Sequence, residues 1–118
     1  MGLTHVNLRL VNPDKPRLVV GEEFLVDTGA QFTVIPGDLV KRLQLEPVRS
    51  QDFVLADGKV VKRKLGSCLI SYEDLQAPGL VVLGEKDDSP LLGAITLESM
   101  GLAVDPFKRT LYPMKMHL

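Results

Sequence analysis

The sequence predicts an all-β fold built on antiparallel pairing, with one or two short helices. Three observations carry that expectation. Hydrophobic residues make up 45% of the chain but aromatic ones only 5%, so the core must be aliphatic, built from Val, Leu and Ile. Ten Gly and eight Pro cut the 118 residues into short segments, a composition that suits many strands and tight turns. Three strand-like runs also fall before residue 27, joined by connections so short that antiparallel neighbours are expected.

The length allows one domain with a modest core, and residues 1–118 read as a single domain without linker, internal repeat or low-complexity segment. Val6 to Val11 alternates apolar and polar residues, as a strand with one buried face does. Asn12-Pro13-Asp14-Lys15-Pro16 is a turn by composition. Arg17 to Val20 reads as a second strand, Gly21-Glu22-Glu23 as a turn, and Glu23 to Val26 as a third strand. Phe32-Thr33-Val34-Ile35 is another β-branched run. Pro36-Gly37-Asp38 opens a short helix, with Asp38 as N-cap and Leu39, Val40 and Leu43 on one face, fading by Leu45.

Asp52 to Leu55 and Lys59 to Val61 flank Ala56-Asp57-Gly58, and Asp-Gly between two β-rich runs signals a hairpin. Cys68 to Tyr72 and Gly79 to Leu83 are two further strands, joined by Glu73 to Pro78. Glu85 to Pro90 is a polar loop, followed by Leu91-Leu92-Gly93-Ala94. A helix near Thr96 to Met100 closes on Gly101 as its C′ glycine. Leu102 to Asp105 and Thr110 to Tyr112 form a closing pair of strands.

Charge nearly cancels, with 14 Lys+Arg against 15 Asp+Glu for a net −1, so neither nucleic acid nor a membrane surface is an expected partner. Cys68 is the only cysteine, which rules out an intrachain disulfide, and its apolar neighbours suggest a buried structural thiol. Met1 to His5 lacks the basic-then-apolar order of a signal peptide, and Val6 stands where myristoylation wants Ser or Thr. The apolar runs are far shorter than a membrane span, and a cytoplasmic location is the expectation. His5 and His117 are isolated, and no His, Cys or carboxylate cluster has metal-ligand spacing, so neither metal nor other cofactor is expected.

Chemistry concentrates in Phe24-Leu25-Val26-Asp27-Thr28-Gly29-Ala30. An apolar run ending in a carboxylate should lower stability unless the carboxylate has work to do, because an unpaired buried charge costs several kcal/mol. The small residues behind it allow close backbone approach. The alternative is a turn Asp that bonds its own backbone.

The run resembles the Asp-Thr-Gly-Ala signature of the retropepsin-like aspartic proteases. The order of Asp27-Thr28-Gly29, the Ala56-Asp57-Gly58 hairpin, Leu91-Leu92-Gly93 and a following helix extends the resemblance over about residues 5 to 112. It implies a closed or partly open antiparallel β-barrel and an aspartic endopeptidase of cellular rather than retroviral type. By that resemblance Asp27 is the catalytic carboxylate, Thr28 braces the pair through its hydroxyl, and Gly29 brings its backbone to substrate. Ala30 and Gln31 then line the substrate cleft, Leu91-Leu92-Gly93 crosses behind the loop, and Ala56, Asp57, Gly58 and Lys59 form a flap tip. The sequence departs from retroviral enzymes at Gln31 and Phe32, where those carry acidic residues, at the glycine-poor flap tip, and at Ala94 after Gly93. The basic arm Lys59, Lys62, Arg63, Lys64 is either a solvated strand face or an attraction for acidic substrate segments.

Peptide hydrolysis of this kind needs two carboxyl groups sharing one proton. The chain has one Asp-Thr-Gly, so the resemblance implies a homodimer with Asp27 from each protomer near the two-fold axis, acting on an extended peptide. Asp105, before Pro106, and Asp57, before Gly58, read as turn residues. Two other readings remain. One is a catalytically weak or inactive dimerisation or peptide-binding module. The other makes Asp27 a phosphoryl acceptor, which wants a second carboxylate for Mg²⁺ and alternating helices.

Overall fold

The alternation of Val6, Leu8 and Leu10 with polar residues sets the first layer of the fold. The computed structural model describes residues 2–118; Met1, where the N-terminal reading begins, lies outside them. β1 (His5–Asn12) sends Val6, Leu8 and Leu10 inward and runs antiparallel to β2 (Lys15–Val26). Val6 is thereby set opposite Phe24 and Leu10 opposite Val20, all buried. Each such side chain contributes roughly 1.5–3 kcal/mol on burial. Asn12 closes the hairpin. Its Oδ1 accepts the N–H groups of Asp14 (2.8 Å) and Lys15 (3.2 Å), while its Nδ2 donates to the carbonyls of Leu43 (2.8 Å) and Gln44 (3.2 Å).

No turn forms at Gly21-Glu22-Glu23. β2 is one strand of 12 residues, because β1 offers each of the three a ladder partner. After the Asp27 loop come β3 (Val34–Ile35) and α1 (Gly37–Leu43). Pro36, not Asp38, is the N-cap of α1 and makes no side-chain capping bond. Asp38 instead occupies the first turn and Lys41 and Arg42 the last, where their charges complement the helix dipole.

β4 (Pro47–Val54) and β5 (Val60–Tyr72) form the predicted hairpin, and β6 (Leu75–Leu83) follows. The segments Lys59 to Val61 and Cys68 to Tyr72, expected as two strands, belong largely to the single 13-residue β5. It runs so far because it changes partner, from β4 along Val60–Gly66 to β6 along Lys64–Tyr72 and β1 along Leu69–Ser71. β6 likewise starts at Leu75 rather than Gly79, after a tight turn in which Glu73 takes φ 52°. β7 (Leu91–Leu92), α2 (Ala94–Ser99), β8 (Leu102–Asp105) and β9 (Thr110–Pro113) complete the chain. Gly101 has φ 67° and donates to the Glu98 carbonyl at 3.0 Å, the C′ geometry its position predicts. Asp105 is a turn residue, its Oδ1 accepting the N–H groups of Phe107 and Lys108.

The sheet order is β1-β2-β7-β3-β6-β5-β4, and an additional β1–β5 pairing joins six strands into a ring, with β4 outside it on β5. The all-β fold is thus as the sequence predicts. Two pairings inside the ring, β2 with β7 and β3 with β6, are parallel. Phe24, Ile35, Leu39, Ile70 and Leu92 fill its centre, with Phe24 the one aromatic side chain in the buried core of the described residues.

The fold repeats itself although the sequence shows no repeat. β7 begins 57 residues after β3 (91 against 34), and α2 begins 57 after α1 (94 against 37). Each short strand pairs in parallel with the long strand before the loop of the other half. The crossing hydrogen bonds match as well, Asp27 N–H to the Leu92 carbonyl at 2.9 Å and Gly84 N–H to the Ile35 carbonyl at 2.7 Å.

Candidate active site

β2 delivers Asp27 to the surface from between two partners. On one side Val26 N–H donates to the Thr4 carbonyl at 2.9 Å; on the other, Asp27 N–H donates to Leu92 at 2.9 Å. The chain then turns sharply, with Ala30 N–H donating to the Asp27 carbonyl at 3.2 Å. Gly29 N–H donates to Asp27 Oδ1 at 2.9 Å, which fixes the carboxylate's orientation in an Asx turn. Asp27, Thr28 and Gly29 are all exposed. A carboxylate held in place but left open to solvent keeps its hydrogen-bonding capacity for something outside the chain.

The loop is braced from behind by α2 and its entry. Gly93 packs so close that a Cβ there would lie 2.6 Å from the Phe32 carbonyl carbon and oxygen. The N–H groups of Ala94 and Ile95 donate to the carbonyls of Ala30 (2.8 Å) and Gln31 (3.0 Å). The loop thereby satisfies donors at the start of a helix that has no side-chain cap. Thr33, fully buried, receives the Gly93 N–H on its Oγ1 at 3.1 Å and shares a hydrogen bond with Thr96 Oγ1 at 2.6 Å. Thr33 also stands before β3 rather than in it, so the run expected from Phe32 is a strand only at Val34–Ile35.

In front of the loop lies a groove of about 680 Å³ between the 29–34 segment and the β4–β5 hairpin. Phe32 and Phe53 meet edge to face across it, ring centroids 5.8 Å apart. Val34, Val61 and Val82 extend the apolar wall, and Arg63 and Asp88 are its charged members. The hairpin tip spans Leu55 to Lys59. Leu55 N–H bonds the Lys59 carbonyl at 2.8 Å, Lys59 N–H bonds Asp57 Oδ1 at 2.9 Å, and Gly58 takes φ 86°. Asp57 is therefore a turn residue, as its position before Gly58 predicts.

Residues 20–99 match the family described as gag-polyprotein putative aspartyl protease. The chain belongs to that family. The match runs from within β2 to the last residue of α2, so it takes in the Asp27 loop, the β4–β5 hairpin, Leu91-Leu92-Gly93 and both helices. No curated protein sequence matches the chain.

Of the residues singled out from sequence, this family member sets Asp27, Thr28 and Gly29 together on one exposed turn and lines the groove with Gly29, Ala30 and Gln31. Ala56, Asp57, Gly58 and Lys59 stand at the exposed hairpin tip, outside the groove lining. The lining comes instead from the arms, through Phe53, Val54, Val61 and Arg63, and from Leu55 at the base of the tip. Of these the sequence marked only Arg63, as part of the basic arm; the others were passed over because alternation tells which residues share a face but not which face meets the loop. Sequence reasoning also passed over the Thr33–Thr96 pair, whose one signal was a hydroxyl inside an apolar run. Cys68 lies in the core, and burial pushes its thiol up to about 11. Among the described residues no group of three or more His, Cys, Asp or Glu could hold a metal ion, and no helix is long and apolar enough to cross a membrane.

Proposed function

We propose that the chain is one half of a homodimeric aspartic endopeptidase, with Asp27 of each protomer supplying one carboxyl group of the catalytic pair. The observation that carries this is an exposed carboxylate, oriented by Gly29 N–H and anchored through Leu92, within the matched span of an aspartyl protease family. The internal repeat supports the dimer. Gly84 stands where Asp27 would recur, so one protomer holds one such carboxylate.

At the pair, two carboxyl groups near 3 Å cannot both ionise, and they share one proton whose titration belongs to both. The ionised carboxylate takes a proton from water as the water oxygen attacks the peptide carbonyl carbon. The protonated one hydrogen-bonds the carbonyl oxygen, where negative charge develops. Collapse of the tetrahedral intermediate passes a proton to the leaving nitrogen. The β4–β5 hairpin acts as the flap, its arms holding an extended peptide across the groove by strand-like hydrogen bonds.

Asp27→Asn should abolish cleavage of a peptide library at every pH from about 3 to 8, with the circular dichroism spectrum and melting curve unchanged. Cleavage by a folded Asp27→Asn protein would end the proposal. A wild-type dimer that cuts nothing in that range would favour the peptide-binding module.

A further inference from the structure

We propose that Arg63 makes the groove select an acidic substrate side chain next to a large apolar one, an inference that rests on the endopeptidase reading of the site. The four basic residues of β5 and its entry do not share one environment. Cross-strand register puts Lys62 opposite Asp52 and Lys64 opposite Ser50, on the exposed outer face of the hairpin. Arg63 falls on the other face, with Val61 and Phe53, and lines the groove. It is the groove's one basic side chain, set beside an apolar wall that lowers the local dielectric.

Its present partner holds it weakly. Arg63 Nη1 stands 3.5 Å from Glu85 Oε1, and the Glu85 side chain is 70% exposed, against 28% for Arg63. Such an exposed pair is worth about 0–1 kcal/mol. The same Nη1 reaches the Lys62 carbonyl at 3.3 Å, and the other guanidinium donors have no partner among the described residues. The guanidinium fork therefore retains donors for a planar carboxylate. The groove's own carboxylate, Asp88, is already committed: its Oδ2 accepts Glu85 N–H at 2.7 Å and holds the turn. A substrate Glu or Asp can thus displace Glu85 into solvent and take the fork, while its apolar neighbour packs against the wall that Phe32 and Phe53 form together.

The test is a positional-scanning decapeptide library with one fixed Phe, the other positions varied among Leu, Gln, Glu and Lys. It is digested by wild type, Arg63→Gln, Arg63→Glu and Glu85→Gln. Wild type should prefer Glu over Gln at one position by about two- to fivefold in kcat/KM at low salt, less at high salt. Arg63→Gln should erase the preference, Arg63→Glu should turn it to Lys, and Glu85→Gln should enlarge it. No preference in wild type, or one that survives Arg63→Glu, overturns the inference. If nothing is cut, the endopeptidase reading falls on its own. Retention of the same peptides on immobilised wild type and Arg63→Glu protein then decides: a Glu preference lost on charge reversal sustains the role of Arg63, and equal or absent retention overturns it.

Discussion

Thr33 is polar and fully buried, and its neighbours account for both. Its Oγ1 joins the Gly93 N–H to the Thr96 hydroxyl, so one atom ties the segment after Asp27 to the entry and first turn of α2. Thr33→Val should cost about 1–3 kcal/mol, since it strands a buried N–H and a buried hydroxyl together. Adding Thr96→Val should recover part of that, which a double-mutant cycle by urea unfolding reads directly. Additive losses would mean that the two hydroxyls do not act together. Cys68 gives a second prediction at this scale. Desolvation lifts its thiol from 9.0 to about 11, so between those values the unfolded chain loses the proton first. Its contribution to stability is full below pH 9 and lost as the pH rises through 11. The urea midpoint of wild type should therefore fall more steeply over that range than that of Cys68→Ala.

The elements around the loop depend on backbone meeting backbone. Gly93 lets β7 and α2 press against Gln31 and Phe32, and α2 donates its first N–H groups to the same loop. Gly93→Ala must push that loop away, since a Cβ cannot sit 2.6 Å from a carbonyl. We expect peptide cleavage to fall at least tenfold and stability to fall by about 1–3 kcal/mol, as for overpacking in a close-packed core. Full cleavage by this variant would show that the Asp27 turn tolerates displacement. The resemblance made this glycine visible in the sequence, through its place after Leu91-Leu92. The length of β5 was not visible. Lys62 to Ser67 lacks a clean alternation because its residues answer first to β4 and then to β6.

At the scale of the whole molecule, two near-repeats of one chain enclose the core, and their loops differ where chemistry is at stake. One carries Asp27 and the other Gly84 at the matching crossing bond. On the proposed endopeptidase reading, a centre that needs two such carboxylates is divided between two protomers, and subunit mixing tests this. Equal amounts of wild type and Asp27→Asn, allowed to exchange, should leave about a quarter of the dimers with two intact Asp27 residues. Activity should fall to about a quarter of that of the same total of wild type. A fall to only one half would show that each protomer works alone.

The all-β class, the Asp27 turn, the Asp57-Gly58 hairpin, the Gly101 helix stop and the buried thiol of Cys68 are legible in the order of residues. Each follows from local chemistry: alternation, turn residues, a glycine with positive φ, an apolar neighbourhood. Packing of the whole chain is what makes β2 run unbroken through Gly21, pairs β3 and β7 each in parallel with the long strand of the other half, and turns Arg63 rather than its lysine neighbours to the groove. Those outcomes depend on which strand completes each backbone ladder and which face it turns to the loop; for β3 and β7 the parallel partners stand 48 (82 against 34) and 66 (91 against 25) residues away and leave no mark on the local pattern.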